Sequence, residues 1–204
     1  MFRKAFPWSK NDQKELPQVD VTGALVRIRE KRVQDIPDEY SWRIDDELSR
    51  LDATRPLSME YDDFFRYAKE EMQFPSYRSK RLSVDTLDGI QIGNVMYYDL
   101  NMGNGEAELG IMIGNKEYWS RGYGTDIVKT LLQHLFFDIG LGRVYLHTLA
   151  WNYRAQAAFS KAGFTEVRSV RRGGQDFLLM EVTKTEWARD FENELHVDGD
   201  CKES

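Results

Sequence analysis

Seven residues near the middle of the chain, Trp119-Ser120-Arg121-Gly122-Tyr123-Gly124-Thr125, are of the types that hold a phosphorylated ligand. Gly122 and Gly124 lack a Cβ, so backbone N–H groups there can face a ligand closely. Apolar residues then recur at helical spacing, and a helix's first turn offers unpaired N–H donors and the positive end of a dipole. Arg121 adds a full positive charge. Together these favour a phosphate or pyrophosphate. The same turn would also serve as an ordinary tight strand-to-helix connection. Two narrower readings fail. No Lys-Ser or Lys-Thr follows the second glycine, so the turn is not a P-loop. A dinucleotide fingerprint needs a third spaced glycine and an acidic residue at the end of the next strand, and the chain has neither.

The elements that must position this turn lie on both sides of it. In Glu106 to Ile113, Ala107, Leu109, Ile111 and Ile113 fall on one face of a strand, with Glu108, Gly110 and Met112 on the other. A carboxylate on such a strand is unusual if its face is covered, and Gly110 suggests a bulge or a close backbone approach. After the turn, Ile127, Val128, Leu131, Leu132, Leu135 and Phe136 mark an amphipathic helix that Gly140 and Gly142 end. Arg143 to Leu149 reads as a strand. A second helix follows, with Asn152 as its N-cap and Gly163 at its C-terminus.

Arg121-Gly122-Tyr123-Gly124-Thr125, followed by Asn152…Ala155…Lys161-Ala162-Gly163-Phe164, resembles the GNAT superfamily of acetyl-CoA-dependent N-acetyltransferases. The nearer likeness is to the RimJ/RimL type of ribosomal-protein N-terminal acetyltransferases, which often carry Trp where Trp119 stands. The resemblance covers about Val26 to Val182. It implies a mixed α/β fold: a twisted, mostly antiparallel sheet with a central splay, flanked by helices. Acetyl-CoA is then expected between Glu108–Ile113 and Val144–Leu149. Backbone N–H groups at Ile111, Met112 and Ile113 would hold the pantetheine and polarise the thioester carbonyl. Trp119, Arg121, Gly122, Tyr123, Gly124 and Thr125 would surround the pyrophosphate, and Asn152 would approach the pantetheine arm.

The resemblance also implies direct attack by an amine that must first lose a proton, so a general base helps. Glu108 is the first candidate and Glu106 the second; a salt-bridged or solvated carboxylate is the alternative for Glu108. Relatives often carry Tyr or Ser on the last helix to reprotonate the thiolate, where this chain has Ala155 and Phe159. Tyr153 is a substitute candidate, and an exposed aromatic is the simpler account of it. His147 reads as a packing residue rather than a base. The acceptor expected is an amine: a protein N-terminus, or a small amine such as a polyamine, amino sugar or antibiotic. A non-catalytic acyl-CoA-binding module is the rival that Ala155 and Phe159 favour.

The 204 residues suit one domain with a full core, and a formal net charge of −6 gives no support for nucleic-acid or membrane binding. The single cysteine, Cys201, excludes an internal disulfide framework. No signal peptide, membrane-length run or metal-ligand pattern is visible, which points to the cytoplasm. A homodimer is one assembly left open.

Residues 1–21 read as a flexible arm carrying Phe2, Phe6 and Trp8, 22–195 as the single domain, and 196–204 as a disordered tail. Ala24 to Glu30 is expected as the first strand, and Asp35 to Arg50 as helix interrupted near Trp42 to Glu47. Asp45, Asp46 and Glu47 read as a helix-capping charge run rather than an acceptor site. Ser58 is expected to cap a helix over Tyr61 to Met72. Leu82 to Thr86 and Ile90 to Tyr98 form a hairpin around Asp88-Gly89. Thr165 to Val170 and Phe177 to Val182 form another, with Arg171 to Gly174 as its turn and a short helix over Thr185 to Leu195 behind it.

Overall fold

The structure is a computed structural model and describes residues 16–189. The aromatic residues of the arm, Cys201 and the 196–204 tail lie outside the described residues. Eight strands form one sheet: β1 (Asp20–Thr22), β2 (Val26–Glu30), β3 (Lys80–Thr86), β4 (Gln91–Asn101), β5 (Glu106–Ile113), β6 (Arg143–Leu149), β7 (Thr165–Arg172) and β8 (Gln175–Thr183). Their order is β1-β2-β3-β4-β5-β6-β8-β7. Every neighbouring pair is antiparallel except β5–β6. That parallel pair has only three registered positions, Glu106–Arg143, Ala107–Val144 and Glu108–Tyr145. Beyond Glu108 and Tyr145 the two strands part.

The sheet is flanked by helices α1 (Ile36–Arg43), α2 (Asp46–Leu51), α3 (Tyr61–Gln73), α4 (Tyr123–Gln133) and α5 (Tyr153–Lys161), and a further helical stretch begins at residue 184, behind β8. Helix α4 packs on β1, β2 and β5 and beside α5. Its apolar stripe of Ile127, Val128, Leu131 and Leu132, continued by Leu135 and Phe136, is wholly buried. The stripe meets Ala107, Leu109, Val144 and Leu146 from the strands. The helix then widens into a π-turn over His134–Asp138, and Gly140 at φ 87° reverses the chain. Helix α1 packs on β4 and, with α3, buries a smaller cluster of Ile36, Phe64 and Ala68.

Four details differ from the sequence expectation. The first expected strand is shorter and has a partner ahead of it: β2 begins at Val26, a turn over residues 23–25 precedes it, and β1 pairs antiparallel with it as a hairpin, so Asp20–Thr22 lie in the sheet. Asp126 on α4 holds that turn, its carboxylate accepting hydrogen bonds from the backbone N–H of Ala24, Leu25 and Val26 at 3.1, 2.7 and 3.1 Å. Gly110 carries no bulge. The irregularity lies opposite, in β4 between Tyr98 and Asn101, where Asp99 has φ 51°. Gly110 is instead a close approach, since a Cβ there would stand 3.1 Å from Met96 Cγ. Ser58 is not the cap of α3: that position is Glu60, which makes no side-chain cap. The turn of the last hairpin is Gly173-Gly174 alone, with Arg171 and Arg172 inside β7.

A buried ion network fixes β2 against β3 and the turn before α1. The Arg29 guanidinium donates to Asp35 at 2.7 Å and to Asp85 at 2.6 Å, and Ser83 donates to Asp35 at 2.7 Å. Burial opposes the charge on Asp35, but the hydrogen bonds from Arg29, Ser83 and the Arg32 N–H outweigh it and hold the carboxyl below its usual range.

Candidate active site

A cleft of about 340 Å³ lies against β5 beyond its last rung with β6, and no β6 residue is in its lining. One wall is the outer half of β5, through Ile111, Met112 and Ile113; another is α5, through Ala155, Ala158 and Phe159. The 119–125 turn closes one end. Asn152 stands at the N-terminus of α5, where its side-chain oxygen accepts from the Ala155 N–H at 3.2 Å. Leu48, Leu51 and Asp52 of α2 and the residue after it complete the lining.

The turn is built for close approach by an anion. Gly122 caps α4 at φ 89° without a side-chain cap, so the first-turn N–H groups have no side-chain acceptor there. Ser120, a non-glycine residue, is also left-handed at φ 57°. Left-handed residues at a turn that opens a helix are a common setting for backbone N–H groups that bind an anion. A Cβ on Gly124 would meet Ala158 Cβ and Ile113 Cδ1, both at 3.6 Å, so that glycine keeps the turn close to α5 and β5.

Trp119 is tied to the strand: its indole N–H donates to the Ile113 carbonyl at 2.8 Å. The Arg154 guanidinium lies 3.6 Å from the centroid of the same ring, and burial pulls the Arg154 pKa down. Lys116 pairs with Asp45 at 3.0 Å and Glu47 at 2.8 Å, joining the loop after β5 to the start of α2. Asp45 also caps α2 by accepting from the Leu48 N–H at 2.8 Å, so the acidic run is a cap and an ion-pair partner. Asp52 is 39% exposed and lies 3.2 Å from Arg43, yet desolvation by its neighbours pushes its carboxyl up.

Eight of the ten residues expected to bind the cofactor line the cleft: Ile111, Met112, Ile113, Trp119, Gly122, Gly124, Thr125 and Asn152. Arg121 and Tyr123 do not. Arg121 donates to the Glu117 carbonyl at 3.1 Å, and Tyr123 packs edge-on against Tyr118. The candidate acid Tyr153 is 75% exposed and outside the lining. Glu106 is held by Arg143 at 2.7 Å, and hydrogen bonds from Asn104 and Arg143 lower its pKa, which suits a structural carboxylate better than a base.

Glu108 is buried at the point where the strands part, and its carboxylate lies 2.8 Å from His147 Nδ1. The Tyr98 hydroxyl is also hydrogen-bonded to it; burial first, then the Glu108 charge, raises the Tyr98 pKa. The His147 contact was missed from sequence because it joins two strands that are adjacent only in the folded sheet. Arg154, Leu51 and Asp52 were missed because the elements that carry them meet only in the folded protein. The stacked Trp119 and Arg154 are 35 positions apart, a spacing that carries no periodic signal.

Residues 26–165 match the family model described as the acetyltransferase (GNAT) domain. YdaF of Bacillus subtilis (strain 168), a protein named as a ribosomal N-acetyltransferase, is 27% identical over 106 residues, which span 49% of this chain and 57% of that protein. Among solved structures, a spermidine N-acetyltransferase from Vibrio cholerae in complex with CoA and spermine superimposes with a TM-score of 0.71 at 18% identity, covering 80% of this chain and 98% of that one. Mycobacterium smegmatis RimJ in complex with CoA-disulfide gives a TM-score of 0.69 at 19% identity, covering 83% and 89%. At these identities the two structures establish the fold. Among the described residues no helix is long and apolar enough to cross a membrane.

Proposed function

The chain belongs to the GNAT acetyltransferase family and is an acyltransferase, and on that premise we propose that it transfers the acetyl group of acetyl-CoA to a primary amine, the α-amine of a polypeptide. The cleft is the observation that carries the cofactor half of this reading. It joins the turn with left-handed Ser120 and Gly122 to a strand edge at Ile111–Ile113 that has no β6 neighbour. The first feature suits a diphosphate. The second suits an amide-bearing pantetheine, and an N–H of the same edge suits a thioester carbonyl that gains charge as it is attacked. The similarity to YdaF supports a polypeptide acceptor.

In this reading Gly122, Gly124 and Thr125 hold the diphosphate and Trp119 fixes the strand end that receives the pantetheine. Arg121 and Tyr123 shape the turn from outside. Asn152 keeps its side-chain nitrogen for the ligand while its oxygen caps α5. The base function is drawn from Glu108 and its surroundings. Ala155 and Phe159 line the cleft without a hydroxyl, so the departing thiolate takes its proton from the attacking amine or from water.

The test is thiol release from acetyl-CoA with peptides bearing free or blocked N-termini, alongside polyamines and amino sugars. Release with free peptides and none with blocked ones is expected. Release with small amines alone would overturn the acceptor class. Absence of coenzyme A uptake by folded protein in calorimetry would overturn the whole reading.

A further inference from the structure

Glu108 and His147 occupy the last rung before the sheet divides. Glu108 is opposite Tyr145 in the final β5–β6 pair, and His147 is two residues further along the same face of β6. The contact between His147 Nδ1 and Glu108 Oε1 is 2.8 Å, and both side chains are 9% exposed. Tyr98, opposite Glu108 on β4, holds the carboxylate from the other side. The Tyr145 ring stands edge-on to the imidazole at 6.2 Å. Asp99, Glu106 and Arg143 are the other charged groups around this row.

With Glu108 as the accepting carboxylate in this contact, Nδ1 is the nitrogen that carries the proton. That leaves Nε2 as the imidazole's basic nitrogen, and among the described residues nothing hydrogen-bonds to it. An acid that fixes one nitrogen of a histidine and leaves the other to take a proton is a recurrent device for activating nucleophiles. His147 lies two residues past Tyr145, where strand pairing ends, and neither it nor Glu108 is among the residues that line the cofactor cleft; both sit on the sheet face opposite Val144 and Leu146.

We propose that His147 Nε2 takes the proton of the acceptor ammonium, and that Glu108 is the positioning residue that holds the imidazole in the required tautomer. The proposal rests on the acetyl-transfer reading above and names the atom that performs its base step. Nε2 removes one proton from the ammonium, leaving a neutral amine. The nitrogen lone pair forms a C–N bond to the thioester carbonyl carbon, and the C–S bond breaks with its electron pair on sulfur. The second nitrogen proton passes to the thiolate, and the imidazolium releases the first to solvent. One acetamide, one thiol and one proton result.

The experiment compares H147A, H147Q, E108Q and the H147A/E108Q double variant with the parent, in turnover on a peptide amine and in acetyl-CoA affinity by calorimetry. Removal of the base should lower kcat by about 100-fold or more, with affinity for acetyl-CoA nearly unchanged. H147Q keeps a donor for Glu108 but has no basic nitrogen, so it should be as impaired as H147A even if H147A folds poorly. Added imidazole should restore part of the H147A rate and none of the E108Q rate, and the double variant should be no worse than H147A. Turnover by H147Q within about tenfold of the parent, alongside an inactive E108Q, would overturn the proposal and leave Glu108 itself as the base. An inactive parent would instead overturn the acetyl-transfer reading.

Discussion

The indole of Trp42 fills the space in front of Gly114: a Cβ on that glycine would stand 2.0 Å from the ring's Cδ2. Trp42 is buried in α1, and Gly114 directly follows the β5 residues that line the cleft. Their contact joins the helix pair that carries Leu48, Leu51 and Asp52 to the strand. G114A forces a rigid ring or the backbone to move, and overpacking of that kind costs about 1–3 kcal/mol. A lowered melting temperature and weaker acetyl-CoA binding are expected, measured by thermal denaturation and calorimetry. A variant as stable as the parent would show that the ring can shift freely.

Asp126 ties the turn between β1 and β2 to the first turn of α4 through three backbone N–H groups. D126A leaves those donors without their acceptor, a loss of about 1–3 kcal/mol. Amide exchange should rise first at Ala24, Leu25 and Val26. Unchanged protection at these residues would contradict the assigned role.

Trp119 supplies a hydrogen bond to the Ile113 carbonyl and a face for Arg154. W119F keeps a ring and removes the donor. A net hydrogen bond is worth ~1 kcal/mol, so acetyl-CoA should bind about fivefold more weakly while kcat changes little. A fall in kcat with binding intact would place Trp119 in the chemistry instead.

The Arg29–Asp35–Asp85 network predicts an acid limb of stability. The Asp35 carboxyl is held below its ordinary 3.8 in the folded protein. A depressed carboxyl stabilises the fold fully above the unfolded value, and that contribution is lost as pH falls through the folded one. Melting temperature should therefore drop as pH is lowered from about 4. D35N should be less stable than the parent at neutral pH, because it leaves Arg29 with one charged partner, and should show a shallower acid limb. Parallel curves for the two proteins would exclude Asp35 as the group responsible.

Local signals in the chain were enough to read the strand–turn–helix, the buried stripe of α4 and the Asn152 cap. Each depends on residues within a few positions of one another, where periodicity and capping chemistry operate. The hairpin turn ahead of β2 was not legible, because the carboxylate that holds it lies about 100 residues away. Glu108 stood out as a carboxylate on an apolar strand, yet its partner His147 read as packing: the contact exists only because β5 and β6 pair for three residues. Tyr153 and Arg121 were chosen by residue type in the right segment. Their helical phase and loop geometry turn them outward, and type alone does not encode direction.

The brevity of the β5–β6 ladder has a mechanical consequence. Three rungs join a leaf of five strands to a leaf of three, so the sheet is hinged like a book along one short seam. A ligand whose amides replace the missing rungs would act as a removable strand and stiffen that seam. The empty protein should breathe there, and the two leaves should become one rigid body on filling.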